Sequence, residues 1–170
     1  HNHCLDCRPF SLAGSRILPR RAQVVNLQDI LSVKGTAVYT TPPEATLAEV
    51  VVRMVEHKVG ALLVCRRDLE HGEQLVGIVT ERDLLRLFAA GRCALAEIRV
   101  GDVMTTDLVT ASPTDLAVDL MGVMTNRRIR HVPVLFEGRL VGIVSIGDLM
   151  KAQHEHLAVE NRFMRDYIQG

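Results

Sequence analysis

Gly77-Ile78-Val79-Thr80-Glu81-Arg82-Asp83 is answered 65 positions later by Gly142-Ile143-Val144-Ser145-Ile146-Gly147-Asp148. In each stretch a β-branched run ends in a hydroxyl residue, and an aspartate follows three positions on. Such a pattern reads as a strand that stops where a helix begins, with the hydroxyl at the helix start and the acid in its first turn. The duplication extends outward from there. Thr41-Pro42-Pro43-Glu44 matches Ala111-Ser112-Pro113-Thr114 at a displacement of 70. Leu47, Val50, Val51 and Met54 match Ala117, Leu120, Met121 and Met124, each set spaced i, i+3, i+4, i+7 along one helix face.

Between helix and motif each copy holds two strand-like runs, 60–64 with 75–79 and 131–135 with 140–144. The polar turns joining them, 66–74 and 136–139, differ in length, which accounts for the change of displacement from 70 to 65. A shorter echo precedes each copy: Leu27-Gln28-Asp29-Ile30-Leu31 and Val100-Gly101-Asp102-Val103-Met104, read as lead-in helices. The expected unit is therefore β-α-β-β-α, twice, in the α/β (α+β) class. One copy alone leaves apolar sheet surface uncovered, so the two should pack about a pseudo-twofold axis and enclose two equivalent clefts. The expected divisions are an arm at 1–22, a first repeat with its lead-in helix at 23–92, a second repeat at 98–157 and a helical extension at 158–170.

Composition narrows the function. Lys+Arg and Asp+Glu balance at 20 each in 170 residues, which argues against a general polyanion binder. No Trp, two Tyr and four Phe argue against base stacking on single strands. Four cysteines do not make a disulfide scaffold, and no apolar run reaches membrane-spanning length, so a soluble cytoplasmic protein is expected. Cys4-x-x-Cys7, with His1 and His3 nearby, has the spacing of half a zinc knuckle. No second pair follows at zinc-finger spacing, so a mobile arm without metal is expected there.

Two readings compete at the duplicated motif. Thr80 with Asp83, and Ser145 with Asp148, suit helix capping, which stabilises a helix start by about 1 kcal/mol. The same carboxylate can accept two hydrogen bonds from a ribose diol, the hydroxyl adding a third, while N–H groups at the helix start favour a phosphate. Gly77 and Gly142 leave room for close approach of backbone or ligand.

The repeat, the two Gly-Ile-Val-Thr/Ser-x-x-Asp endings and Arg130-His131-Val132-Pro133-Val134 together resemble a tandem pair of cystathionine-β-synthase (CBS) domains, a Bateman module, over about residues 24–157. The resemblance implies binding of an adenosine-containing ligand (AMP, ADP, ATP, NAD(H), S-adenosylmethionine or a cyclic dinucleotide) and a role in sensing energy or redox state. It implies ribose contacts from Asp83 with Thr80 and from Asp148 with Ser145, and phosphate contacts from Arg130 and His131. Lys34 offers a further positive charge, its alternative being a solvated loop lysine; 127–130 has the alternative of a helix end that complements the dipole. Adenine would slot among Val38, Val109, Ile78 and Ile143. The first repeat departs from the pattern, with Gly60 and Ala61 where the second has Arg130 and His131, so the clefts should differ.

A homodimer is expected, through the helix faces 44–57 and 114–126 or the C-terminal extension. No cofactor is required for folding or catalysis in this reading, and the adenine nucleotide, NAD(H) or S-adenosylmethionine acts as a regulatory ligand. An enzyme is disfavoured because no nucleophile elbow, Walker loop, zinc-protease motif or full dinucleotide fingerprint is present. The alternative is a ligand-free dimerising scaffold that binds a protein or DNA partner through the basic cluster at 127–130.

Overall fold

A computed structural model describes residues 25–35, 37–68 and 72–169. The expected arm and the Cys4–Cys7 pair lie outside the described residues. The element order is α1 (Leu27–Lys34), β1 (Thr40–Thr41), α2 (Leu47–His57), β2 (Ala61–Asp68), β3 (Gly72–Thr80), α3 (Glu81–Ala89), a 3-10 turn (Val100–Asp102), α4 (Ala117–Arg127), β4 (His131–Phe136), β5 (Arg139–Ser145) and α5 (Ile146–Gln169).

The first repeat is the expected β-α-β-β-α unit, with β1 parallel to β2 and β2 antiparallel to β3. In the second, β4 and β5 form an antiparallel pair, and the first strand shrinks to one parallel bridge between Ala111 and Val134. The cause is a single residue. In the first repeat Leu63 N donates to Tyr39 O at 3.2 Å. Seventy positions on stands Pro133, which has no N–H to donate, so the ladder loses that rung.

The two lead-in segments are crossed. Val100 N donates to Ala45 O and Gly101 N to Pro43 O, both at 2.9 Å, just ahead of α2. Symmetrically, Leu27 N donates to Asp115 O at 3.0 Å and Gln28 N to Pro113 O at 2.9 Å, just ahead of α4. Leu27, Ile30 and Leu31 of α1 are therefore buried with Leu120, Met124 and Leu149 of the second repeat. Ile98 and Val100 are buried with Leu47, Val50 and Val79 of the first. Each buried aliphatic side chain contributes roughly 1.5–3 kcal/mol, so this exchange fastens the repeats firmly to each other. The first repeat, expected as contiguous 23–92, thus carries its lead-in helix in the core of its neighbour.

The glycines of the duplicated motif explain the exchange. A Cβ on Gly142 would lie 2.6 Å from Leu31 Cδ2, and one on Gly77 would lie 2.6 Å from Met104 Sδ. Leu31 and Met104 hold equivalent places in the two lead-ins. Close approach there serves the neighbouring repeat's side chain. A third cluster lies between the two sheets, joining Ala61, Leu63 and Ile78 with Leu140 and Ile143.

Candidate functional site

At the ends of β3 and β5 the motif aspartates fold back on the starts of their own helices. Thr80 N and Thr80 Oγ1 donate to Asp83 Oδ2 at 2.9 and 2.7 Å. Ser145 N and Ser145 Oγ donate to Asp148 Oδ2 at 2.8 and 2.7 Å. Asp148 N in turn donates to Ser145 Oγ at 3.2 Å. The capping role is real in both copies, but it uses one oxygen of each carboxylate. Asp83 Oδ1 has Arg86 Nη1 at 3.6 Å. Among the described residues, the hydrogen bonds to Asp148 all converge on Oδ2.

The third donor to that oxygen is Lys34. Its Nζ lies 2.5 Å from Asp148 Oδ2 and 3.1 Å from Ile143 O. Lys34 is exposed, but it is the last residue of α1 rather than part of a loop, and its ammonium reaches across from the crossed lead-in. Burial works to raise the Asp148 pKa, but the bonds from Lys34 and Ser145 outweigh it and hold the carboxyl below its ordinary range. His131 is half-buried beside the same group. Burial, then the Lys34 charge, lower its pKa against the opposing pull of Glu81 and Asp148, with Arg130 adding to the lowering. Arg130 is placed by its carbonyl, which accepts from Ile146 N at 2.9 Å at the start of α5. Lys34, Asp148, Arg130 and His131 are thus gathered where α5 begins.

The equivalent place in the first repeat has different chemistry. Glu81 N donates to Gly60 O at 3.1 Å, and a Cβ on Gly60 would come 3.1 Å from Glu81 Oε2. An acid covers the glycine there, whereas Arg130 and the apolar Ile146 stand at the start of α5. Arg82 ties the two repeats together here, donating through Nη1 to Arg128 O at 2.7 Å. Arg128 caps α4 in the left-handed conformation, and Arg127 lies in its last turn. The helix-end reading therefore fits those two arginines, while Arg130 stands apart from them.

Of the four residues expected around adenine, Val38, Ile78 and Ile143 join the cluster between the sheets. Val109 packs instead on the second repeat's own core. The counterpart of Val38 is Leu108, which does join the inter-sheet cluster. The displacement of 70 points to Leu108; a step of one residue in an extended segment turns the side chain to the other face. Cavities of about 310 and 740 Å³ open elsewhere, the first along α4 beside Asp119, the second where the hairpins meet at Glu73 and Arg139. Neither includes Asp83 or Asp148. No group of three or more candidate metal ligands occurs among the described residues.

The family model described as CBS domain matches residues 28–90 and again 100–155. The chain belongs to the CBS-domain family. The chain is 39% identical, over 173 aligned residues, to CBS domain-containing protein CBSX3, mitochondrial, of Arabidopsis thaliana; the match covers 96% of this chain and 81% of that protein. The CBS-domain protein ATU1752 of Agrobacterium tumefaciens has the same fold, with a TM-score of 0.69 and 37% identity over 76% of this chain and 99% of that one. The CBS domain pair of protein MJ0100, solved in complex with 5′-methylthioadenosine and S-adenosyl-L-methionine, shares the fold at a TM-score of 0.65 and 22% identity, over 78% and 98% of the two chains. Among the described residues no helix is long and apolar enough to cross a membrane.

Proposed function

We propose that this CBS pair is a non-enzymatic regulatory module that binds an adenosine-containing ligand between its repeats. The observation that carries the reading is the pair of motif carboxylates, Asp83 and Asp148, each at a strand end with one oxygen outside the capping bonds. That oxygen can accept a ribose hydroxyl, at Asp83 with Arg86 Nη1 3.6 Å away, and the apolar Val38, Ile78, Leu108 and Ile143 between the sheets offer a surface for the base. Arg130, His131 and Lys34 supply the charge for a phosphate at the start of α5. Family membership supports a regulatory rather than a catalytic role. The adenosyl ligands of the MJ0100 pair belong to that protein and set the classes to be tried here.

The test is calorimetric titration of the full chain with AMP, ATP, NADH and S-adenosylmethionine, with mass spectrometry of small molecules released from the purified protein. Saturable binding of at least one, weakened by Asp83→Ala or Asp148→Ala, is expected. Heat from none at millimolar ligand overturns the reading and leaves a scaffold with empty clefts. Arg130→Ala should weaken phosphate-bearing ligands by about 2 kcal/mol while leaving unphosphorylated ones unchanged.

The module acts as a homodimer in this reading. Val52 and Val55 on α2, and Val118 and Val123 on α4, expose apolar surface. The later part of α5 exposes Leu157, Phe163, Met164 and Ile168, several of them more than half accessible. The proposed compartment is a reducing one, the cytoplasm, although CBSX3 is designated mitochondrial; fractionation of cells expressing the natural protein decides between the two.

A further inference from the structure

We propose that the cavity of about 310 Å³ along α4 is a binding site for a guanidinium group, the cation that the first repeat brings to the matching place from its own chain. In the first repeat Arg53, on α2, donates through Nη1 to Thr40 O at 2.6 Å. One turn earlier on that helix Glu49 is held in a capping box. Thr46 N donates to Glu49 Oε2 at 2.8 Å, and Glu49 N donates to Thr46 Oγ1 at 3.3 Å. The Tyr39 ring stacks on His57, with centroids 3.9 Å apart. There the chain satisfies its own acceptors and fills its own space.

The displacement of 70 carries Arg53, Thr40, Thr46, Glu49 and Tyr39 onto Val123, Thr110, Leu116, Asp119 and Val109, and all five of these line the cavity. Val123 and Val109 are shorter than the residues they replace, which opens the space. Val123 brings no donor, and among the described residues no hydrogen bond reaches Thr110 O. Leu116 has no hydroxyl, so α4 starts without a side-chain cap, and the Asp119 carboxylate has no hydrogen bond or ion pair among the described residues. Asp115 adds a second acid, which accepts from Ser112 N at 2.8 Å, and the lining holds no cation. A wall of carbonyl and carboxylate suits the planar fork of a guanidinium, which can donate to both at once, better than the point charge of an ammonium. Two sources bring such a group. One is this chain: Ala117 N donates to Val25 O at 2.9 Å beside the cavity, and Arg20 and Arg21 stand five and four positions before Val25 in the sequence. The other is a free guanidinium compound.

The test is amide NMR of the full chain titrated with ethylguanidinium chloride at constant ionic strength, for the wild type and for Arg20→Gln/Arg21→Gln. Saturable shifts confined to the cavity lining, Thr110 and Asp119 among them, are expected in at least one of the two. Equal binding by both supports the site with a free compound as its ligand; binding that appears only in the double variant supports it with the chain's own arginines as occupants. In the protein that binds, Asp119→Asn should weaken the probe about fivefold, the scale of an ion pair at a protein surface. Val123→Arg, which restores the first repeat's residue, should abolish binding, whereas Val123→Gln, of similar helix propensity but uncharged, should keep it. Scattered or non-saturating shifts in both proteins, or shifts that persist in Val123→Arg, overturn the inference. The adenosyl reading does not depend on either result.

Discussion

His131 and Asp148 share Lys34 as a neighbour, and their responses to acid follow from that. Burial and the Lys34 charge keep His131 neutral in the native state below its ordinary value of 6.5. The unfolded chain then binds more protons than the native one once the pH drops under that value, so stability falls with acidification. Urea unfolding between pH 7 and pH 5 should show a declining midpoint, and His131→Asn should flatten the decline. Asp148 acts lower on the scale: its contribution is present above its unfolded value of 3.8 and is lost as pH falls through the depressed native value. A second contrast concerns thiols. Burial, helped by Glu73, pushes Cys65 up to about 11, whereas Cys93 is exposed. Peptide mapping after brief iodoacetamide treatment of native protein should find Cys93 alkylated and Cys65 spared. The Thr/Ser-x-x-Asp geometry is legible in the sequence because it is local, three residues closing on themselves. The partner of Lys34 is not, because the contact joins residues 114 positions apart and depends on the crossing of the lead-ins.

The helices and hairpins are legible in the periodicity, and they stand because each has a buried stripe to satisfy. Of the predicted faces, Leu47, Val50 and Met54 on α2 and Ala117, Leu120 and Met124 on α4 are buried, while Val51 and Met121 are partly buried against the same clusters. The lost strand of the second repeat is hidden in one letter, Pro133, whose effect shows only once its 70-residue counterpart Leu63 is seen donating. Glycine substitutions test the packing of these elements. Gly142→Ala drives a methyl against Leu31, itself buried, and should cost about 1–3 kcal/mol, read as a lower melting temperature. Gly122→Ala, within α4 and with nothing within 4 Å, should instead gain about 0.4–1 kcal/mol. Equal effects at the two positions would contradict the seating of α1 on β5. On α5, Met164→Glu should leave circular dichroism unchanged and lower the mass measured by light scattering if this helix joins two copies.

For the molecule as a whole, the exchange of lead-in segments makes the pair the unit of folding. A fragment of residues 98–169 lacks α1, and with it Leu27, Ile30 and Leu31 from its core. That fragment should bind a hydrophobic dye and melt without a sharp transition, whereas the full chain unfolds cooperatively. The duplicated architecture is legible because the repeat is long and ordered; which lead-in serves which core is not, since sequence adjacency favours the nearer repeat. The same crossing brings Lys34 to Asp148 and makes the two clefts unequal in charge. Calorimetric titration of the full chain with AMP, ATP, NADH and S-adenosylmethionine, alongside the Asp83→Ala/Asp148→Ala double variant, tests the central claim most directly. Saturable binding of at least one of them by the wild type that disappears in the folded double variant is the predicted result. Equal binding by both proteins, or binding of none of the four by either, contradicts it.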